Sequence, residues 1–213
     1  AETDFDSVRL QMVRDQILAR GVNNRQILDA MGSVPRHRFV LDGYVHYAYT
    51  DTPLPIGFGQ TISQPYIVAL MTELAAPAPT DRVLEVGTGS GYQAAVISTL
   101  VDHVFTIEIV PGLGLRAEQV LADLGYRNVT VRVGDGYAGW AEEGPFDIIL
   151  VTAAPEEIPP ALVEQLAVGG RMVVPVGPVY GNQDLLLLKK HADGTVTEDR
   201  IIPVRFVPMV HGE

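Results

Sequence analysis

The sequence lacks cysteine altogether. This absence excludes disulfide bonds, thiolate nucleophiles and cysteine-based zinc sites. No apolar run approaches the roughly 20 residues of a membrane-spanning helix, and we expect no membrane partner. The five histidines show no paired spacing typical of metal ligands, so we also expect no metal.

Basic residues are scarce as well. The chain has 15 Lys and Arg against 26 Asp and Glu, a formal net charge of −11. Nucleic-acid binding relies on clustered basic side chains, so we expect no nucleic-acid partner. The densest basic group, RHR at 36–38, is interpreted as a solvated helix start or loop after Pro35, without a function.

The length of 213 residues and a hydrophobic content of 47% suit one domain with a sizeable core. Within it we expect an N-terminal helical and substrate-side segment (1–78), a cofactor-binding core (79–178) and C-terminal strands (179–213). The chain begins at Ala1 rather than Met, so a removed leader would leave no trace, and a cytoplasmic location is only a working hypothesis.

The most informative stretch is VLEVGTGSG at 83–91. Its first residues have the apolar, partly β-branched character of a strand buried on both faces, and the glycines then open an apolar helix at 92–100. A strand, a glycine turn and a helix N-terminus form a binding crevice for a nucleoside-like cofactor.

Glycine spacing indicates which cofactor that is. Dinucleotide-binding chains usually read G-x-G-x-x-G/A, whereas here the glycines fall at 87, 89 and 91 and Tyr92 occupies a position expected to be small. The pattern favours S-adenosylmethionine. A nicotinamide-dependent oxidoreductase and a non-catalytic binding module remain as alternatives.

The remaining pattern predicts a doubly wound, mostly parallel α/β sheet of seven strands. Helices are expected at 7–20, ended by Gly21, at 24–31 and from 63–65 to 74, with an irregular loop at 51–59. Strands at 82–86, 103–108, 129–133, 146–151 and 172–176 alternate with helices at 92–100, 113–124 and 160–166, and strands 184–190 and 196–207 form an antiparallel hairpin. Gly112 and Gly114 weaken the start of the helix at 113–124, because glycine disfavours helices. The sequence gives no reason for these two glycines.

Acidic residues stand at three strand ends, where ligands bind in such sheets. Glu85 precedes the glycine turn, and Glu108 is spaced to accept hydrogen bonds from both ribose hydroxyls of the cofactor. Asp135, between Gly134 and Gly136, could accept from an adenine amino group or could form a plain Asx turn.

A fourth strand end, TAAP at 152–155, lacks the Asn or Asp with Pro-Pro-aromatic that enzymes methylating base nitrogens commonly carry. The absence of cysteine also excludes covalent attack on a pyrimidine. We therefore favour an acceptor that needs little activation, such as a carboxylate, which is already ionised near neutral pH. Ser63 could orient that carboxylate or could serve as a helix N-cap.

Three segments carry a family resemblance: GQTISQPY at 59–66, the glycine motif, and VRFVPMV at 204–210. Through them, and over nearly its whole length, the chain resembles protein-L-isoaspartate O-methyltransferases. The resemblance implies methyl transfer from S-adenosylmethionine to the α-carboxyl of L-isoaspartyl residues, leaving S-adenosylhomocysteine and an ester that collapses to a succinimide. It implies isoaspartyl-containing proteins and peptides as partners of a monomer.

The resemblance also assigns site residues. Ser63 is expected to be catalytic and to contact the acceptor, with Phe206, Val207 and Pro208 binding the substrate backbone. The cofactor-binding residues are expected to be Gln60, Thr61, Ile62, Glu85, Gly87, Thr88, Gly89, Ser90, Gly91, Glu108, Asp135, Gly136 and Thr152. The resemblance also implies a last pair of strands arranged unlike those of most related methyltransferases.

Overall fold

The computed structural model describes residues 4–212 and contains the expected seven-stranded sheet. Its strands are β3 (Arg82–Val86), β4 (His103–Glu108), β5 (Val129–Val133), β6 (Phe146–Val151), β7 (Leu166–Val176), β8 (Gln183–Lys190) and β9 (Val196–Val204). They lie in the order β5-β4-β3-β6-β7-β8-β9. The first five in this order are parallel to one another, and β8 and β9 each pair antiparallel with the preceding strand, which confirms the predicted fold class.

Helices cover both faces of this sheet. They are α1 (Phe5–Met12), α2 (Arg25–Ser33), α3 (Pro65–Ala75), α4 (Tyr92–Ser98), α5 (Pro111–Asp123) and α6 (Pro160–Gln165). On one face Met71 of α3 and Ile97 of α4 pack around Val83, and on the other Leu162 of α6 packs with Leu84. Such burial on both faces explains why β3 is apolar at successive positions. Each buried aliphatic side chain contributes about 1.5–3 kcal/mol of transfer free energy.

The first predicted helix, 7–20, is divided in the structure. After α1 the chain continues through a π-helical turn (Val13–Ile17) and a 3₁₀ turn (Leu18–Arg20), and Gly21 ends it in the left-handed conformation. No helix among residues 4–212 has the length and apolar character needed to cross a bilayer.

The segment 51–59, expected to be an irregular loop, contains strand β1 (Leu54–Gly57), so that expectation was wrong. β1 pairs antiparallel with β2 (Gln60–Ile62) in a separate two-stranded hairpin. Leu54 and Ile56 are buried on either side of exposed Pro55, an alternation that fits a half-buried strand. The abundance of proline and glycine concealed that alternation in the sequence.

The structure explains why glycine occupies position 112, although the helix turn there is regular and requires no glycine. A Cβ atom there would lie 2.6 Å from Cζ of Phe58, at the tip of the β1-β2 hairpin. A Cβ atom at Gly114 would lie 3.0 Å from Cγ2 of Val133 in β5. The two glycines therefore allow the hairpin and the sheet to approach α5 closely, at the expense of helix propensity.

Candidate active site

A crevice opens where the strand order reverses. β4 and β5 lie on one side of β3 and β6 and β7 on the other, so the carboxyl ends of β3 and β6 diverge into different connections. Thr152, just after β6, joins these ends: its backbone N–H donates to the carbonyl of Val86 (2.9 Å) and its hydroxyl to that of Gly87 (2.5 Å).

Gly87 is required by this geometry. Its φ of +99° lies in the left-handed region, and a Cβ atom there would lie 2.6 Å from Oγ1 of Thr152. The turn that follows thus keeps its backbone open toward the crevice.

Glu108, at the end of β4, is held by the turn that it faces. Its Oε2 accepts from the backbone N–H of Gly89 (2.7 Å) and its Oε1 from that of Val110 (3.0 Å). A carboxylate can accept about four hydrogen bonds. Glu108 therefore keeps acceptor capacity for two ribose hydroxyls, in the orientation fixed by these two N–H groups.

Glu85 lies beneath the turn with no exposed surface and does not line the crevice. The hydroxyl of Thr106 donates to its Oε1 (2.6 Å), whereas Oε2 has no hydrogen-bond partner among residues 4–212. Burial raises the pKa of Glu85 to about 8, because desolvation of the carboxylate outweighs the hydrogen bond from Thr106. The geometry indicates support of the turn from below rather than direct cofactor contact.

This shifted pKa predicts a pH dependence of stability. In the ligand-free protein the folded state holds a proton on Glu85 up to about pH 8, whereas an ordinary glutamate loses it near 4.5. The unfolded state then binds fewer protons over this interval, so the Glu85 contribution to the free energy of unfolding falls as pH rises through it. Glu85→Gln is expected to remove that contribution, as urea denaturation at pH 5 to 8 can measure.

Glu118→Gln is the matched control, because Glu118 is exposed on α5. It should retain the wild-type pH slope. A Glu85→Gln slope equal to that of wild type would show that Glu85 is ionised in the folded protein across this range.

Asp135 and Gly136 follow β5 at the other side of the crevice. Oδ1 of Asp135 accepts from the backbone N–H of Tyr137 (2.8 Å), so the Asx-type turn considered from the sequence is present. Its Oδ2 accepts from Gly212 (3.1 Å). Burial raises the pKa of Asp135, but these N–H donors and His211 outweigh it, and the net pKa is lowered.

A first cavity is lined by most of the predicted cofactor residues. These are Gln60, Thr61, Ile62, Gly87, Thr88, Gly89, Ser90, Glu108, Gly136 and Thr152, together with Ser63, Val207 and Pro208. Glu85, Gly91, Asp135 and Phe206 do not line it. Ile109, Val110 and Met209 do, and sequence reasoning missed them; the position of Ile109 and Val110 just after a predicted strand was the available signal.

A second cavity adjoins the first, and Thr61, Ser63, Thr152 and Val207 line both. Ser63 thus lies at the boundary between them. It is not a helix cap: α3 begins at Pro65, with Gln64 in the cap position. Among residues 4–212 the Ser63 hydroxyl has no hydrogen-bond partner, which leaves it available to a ligand.

The C-terminal segment 206–209 lines both cavities, and hydrogen bonds to two residues, Gln183 and Ala154, fix its backbone. Gln183, buried in β8, accepts from the backbone N–H of Phe206 (2.7 Å) and donates to its carbonyl (3.2 Å). Ala154 donates to the carbonyl of Val207 (2.8 Å) and accepts from Met209 (2.8 Å). Phe206 therefore faces the second cavity from a rigid backbone.

Arg36 corrects the interpretation of 36–38 as solvated. Its side chain is fully buried and donates to the carbonyls of Ala48 (2.7 Å) and Ser63 (2.8 Å). Burial lowers the pKa of Arg36 to about 10, so the guanidinium stays charged at neutral pH. It holds the backbone of Ser63, a role invisible in the sequence because both partner carbonyls are distant along the chain.

Residues 9–213 match the family model described as protein-L-isoaspartate(D-aspartate) O-methyltransferase. The chain belongs to this family. A protein-L-isoaspartate O-methyltransferase from a Synechococcus strain is 55% identical over 99% of this chain and 88% of its own length. A second, from a Polaromonas strain, is 58% identical over 87% of this chain and 88% of its own.

Solved structures of family proteins share the fold. A protein-L-isoaspartate O-methyltransferase superposes with a TM-score of 0.86 at 31% identity, covering 95% of this chain; the match spans 65% of that longer chain. Another, from Plasmodium falciparum, was solved in complex with S-adenosyl-L-homocysteine and superposes with a TM-score of 0.82 at 26% identity, covering 98% of this chain and 99% of its own. The family resemblance inferred from the motifs is confirmed.

Proposed function

We propose that this chain transfers the methyl group of S-adenosylmethionine to the α-carboxyl of L-isoaspartyl residues in proteins and peptides. The observation that carries the proposal is the meeting of two cavities at Ser63. Methyl transfer needs a donor and an acceptor in contact and in line, and two adjoining cavities could hold the two reactants side by side.

The residues of the first cavity fit the methyl donor. Glu108 would accept from the ribose hydroxyls, the turn after Gly87 would face the donor with its backbone, and Gly136 would lie against the base. Gly136 has room only for hydrogen, since a Cβ atom there would lie 2.3 Å from Cγ1 of Val86. S-adenosylmethionine supplies a methyl group activated on a sulfonium.

The acceptor carboxylate needs no general base, because it is ionised near neutral pH. One of its oxygens forms a bond to the methyl carbon while the carbon–sulfur bond breaks, and the electron pair stays on sulfur. No proton moves in this step. Positioning the reactants can therefore supply most of the catalysis, on the order of 7–11 kcal/mol in favourable cases.

In this proposal Ser63 donates a hydrogen bond to the acceptor carboxylate and fixes one oxygen toward the first cavity. The segment 206–208, held by Gln183 and Ala154, would bind the substrate backbone. The resemblance to the family carries the further proposal that the protein acts as a monomer.

Paired peptides test the proposal directly. The protein is incubated with donor labelled on the methyl group and with peptides that carry isoaspartyl or normal aspartyl at one position. We expect base-labile label in the isoaspartyl peptide alone. Equal labelling of both peptides, or of neither, would contradict the proposed function.

Calorimetry distinguishes the proposed methyltransferase from the alternative, a nicotinamide-dependent oxidoreductase. The proposal requires binding of S-adenosylhomocysteine, the product of the donor, in the first cavity. Binding of NADH without binding of S-adenosylhomocysteine would support the nicotinamide alternative instead.

A further inference from the structure

The charge lining the second cavity differs from that of the whole chain. The chain carries a net charge of −11, yet the charged residues around this cavity are Arg20 and Arg205, with no Asp or Glu among its described lining residues. A ligand in this cavity therefore meets positive charge at short range.

Arg20 is already neutralised by a neighbour. Its Nη1 pairs with Oδ2 of Asp51 at 2.5 Å, and its guanidinium carbon lies 3.5 Å from the ring centroid of Tyr66. Asp51 also accepts from the backbone N–H of Tyr66 (3.2 Å). These contacts fix Arg20 as part of the cavity wall and offset its charge.

Arg205 has no such partner. Among residues 4–212 no carboxylate lies within 4.0 Å of its guanidinium, and its side chain is exposed at the cavity. Gln183 holds the adjoining Phe206 at both its N–H and its carbonyl. Arg205 is therefore a cation with no carboxylate partner among residues 4–212, and it lines the second cavity beside a residue whose backbone is fixed.

We propose that Arg205 determines which isoaspartyl substrates are preferred, by favouring an acidic side chain next to the isoaspartyl residue and disfavouring a basic one. The inference rests on the proposed function, because it assigns the second cavity to the acceptor peptide. Arg205 offers the neighbouring carboxylate an ion pair, whereas a lysine there would face a like charge.

This preference runs against the charge of the protein as a whole. A strongly acidic protein repels acidic peptides at long range, and at physiological ionic strength that repulsion is screened over about 8 Å. A preference for acidic neighbours must therefore come from a short-range cationic group. A preference for acidic neighbours would therefore indicate Arg205, whereas a preference for basic neighbours would indicate the negative net charge of the whole protein.

The test uses isoaspartyl peptides with blocked termini, which differ only in a Glu, Gln or Lys placed directly before or directly after the isoaspartyl residue. Acetylated and amidated ends exclude recognition of a terminal carboxylate. kcat/KM is measured for wild type, Arg205→Gln, Arg205→Glu and the control Arg127→Gln. Arg127 is exposed before β5, at the opposite edge of the sheet, and its replacement by Gln changes net charge by the same amount as Arg205→Gln.

For wild type and Arg127→Gln we expect Glu peptides to exceed Lys peptides by about fivefold to tenfold in kcat/KM at one of the two positions, as an exposed ion pair and an exposed like-charge contact together allow. The ratio should fall toward one in Arg205→Gln and invert in Arg205→Glu, and added salt should weaken it. Thermal unfolding confirms that each variant is folded.

A wild-type ratio at or below one, or the same ratio in wild type and Arg205→Gln, would overturn the assignment. Methylation of the Gln peptides by wild type separates that result from failure of the proposed function, in which no isoaspartyl peptide would be methylated.

Discussion

Replacing Ser63 by alanine is expected to lower kcat/KM for an isoaspartyl peptide by roughly 10²-fold, the size of effect that misplacing a reactant can have. Ser63 lines both cavities, and its hydroxyl has no hydrogen-bond partner among residues 4–212. Affinity for S-adenosylhomocysteine should change by less than about threefold, because the hydroxyl is proposed to meet the acceptor rather than the donor.

Steady-state kinetics and calorimetry on the same variant measure the two quantities. Ser33→Ala is the matched control, since Ser33 is exposed at the end of α2 and its hydroxyl bonds only to the carbonyl of Ala30. It should leave both quantities unchanged. Equal losses of transfer and of product affinity in Ser63→Ala would place Ser63 on the donor instead.

Replacing Arg36 by methionine is expected to destabilise the protein by about 2–4 kcal/mol, because two buried carbonyls lose a charged donor and keep no replacement. Part of that loss is offset by removing a buried charge. One of the two carbonyls that lose their donor is that of Ser63. Ser63 should therefore be displaced, and methyl transfer by the folded fraction should fall by roughly tenfold or more.

Urea denaturation gives the stability, and kinetics at a temperature where the variant is folded give the transfer rate. Arg36→Lys keeps the charge and can reach one carbonyl but lacks the planar fork, so it should recover part of each loss. Arg38→Met, at an exposed neighbour, should alter neither. Reduced stability with unchanged kcat and KM would limit Arg36 to a structural role.

Four of the five parallel strands are the part of the fold that the sequence predicted best, whereas β7 begins at Leu166 and not at the predicted 172. β3, β4, β5 and β6 begin and end where the apolar pattern placed them. Burial on both faces demands apolar residues in succession in β3, β4 and β6, whereas the edge strand β5 has no fully buried residue. The glycines and polar residues that end each strand are local features. The crevice above β3 could be predicted for the same reason, because the glycine turn and Glu108 lie within one stretch of chain.

Where prediction failed, the deciding contact joined distant parts of the chain. β1 was concealed by proline and glycine until its pairing with β2 was known. Gly112 made sense only beside the ring of Phe58, and Glu85 proved to lie under the turn instead of in the cavity. None of these relationships has a sequence spacing by which it could be recognised.

The sequence by itself determined the doubly wound sheet, the donor crevice and the family, because periodicity and contiguous motifs encode them locally. Only the tertiary structure decided that Ser63 lines both cavities, that Arg36 is buried behind it and that Arg205 lies exposed at the second cavity with no carboxylate within 4.0 Å among residues 4–212. Burial and pairing depend on which segments meet, and for a charged residue they decide whether it is solvated, holds the backbone or is free to bind a substrate.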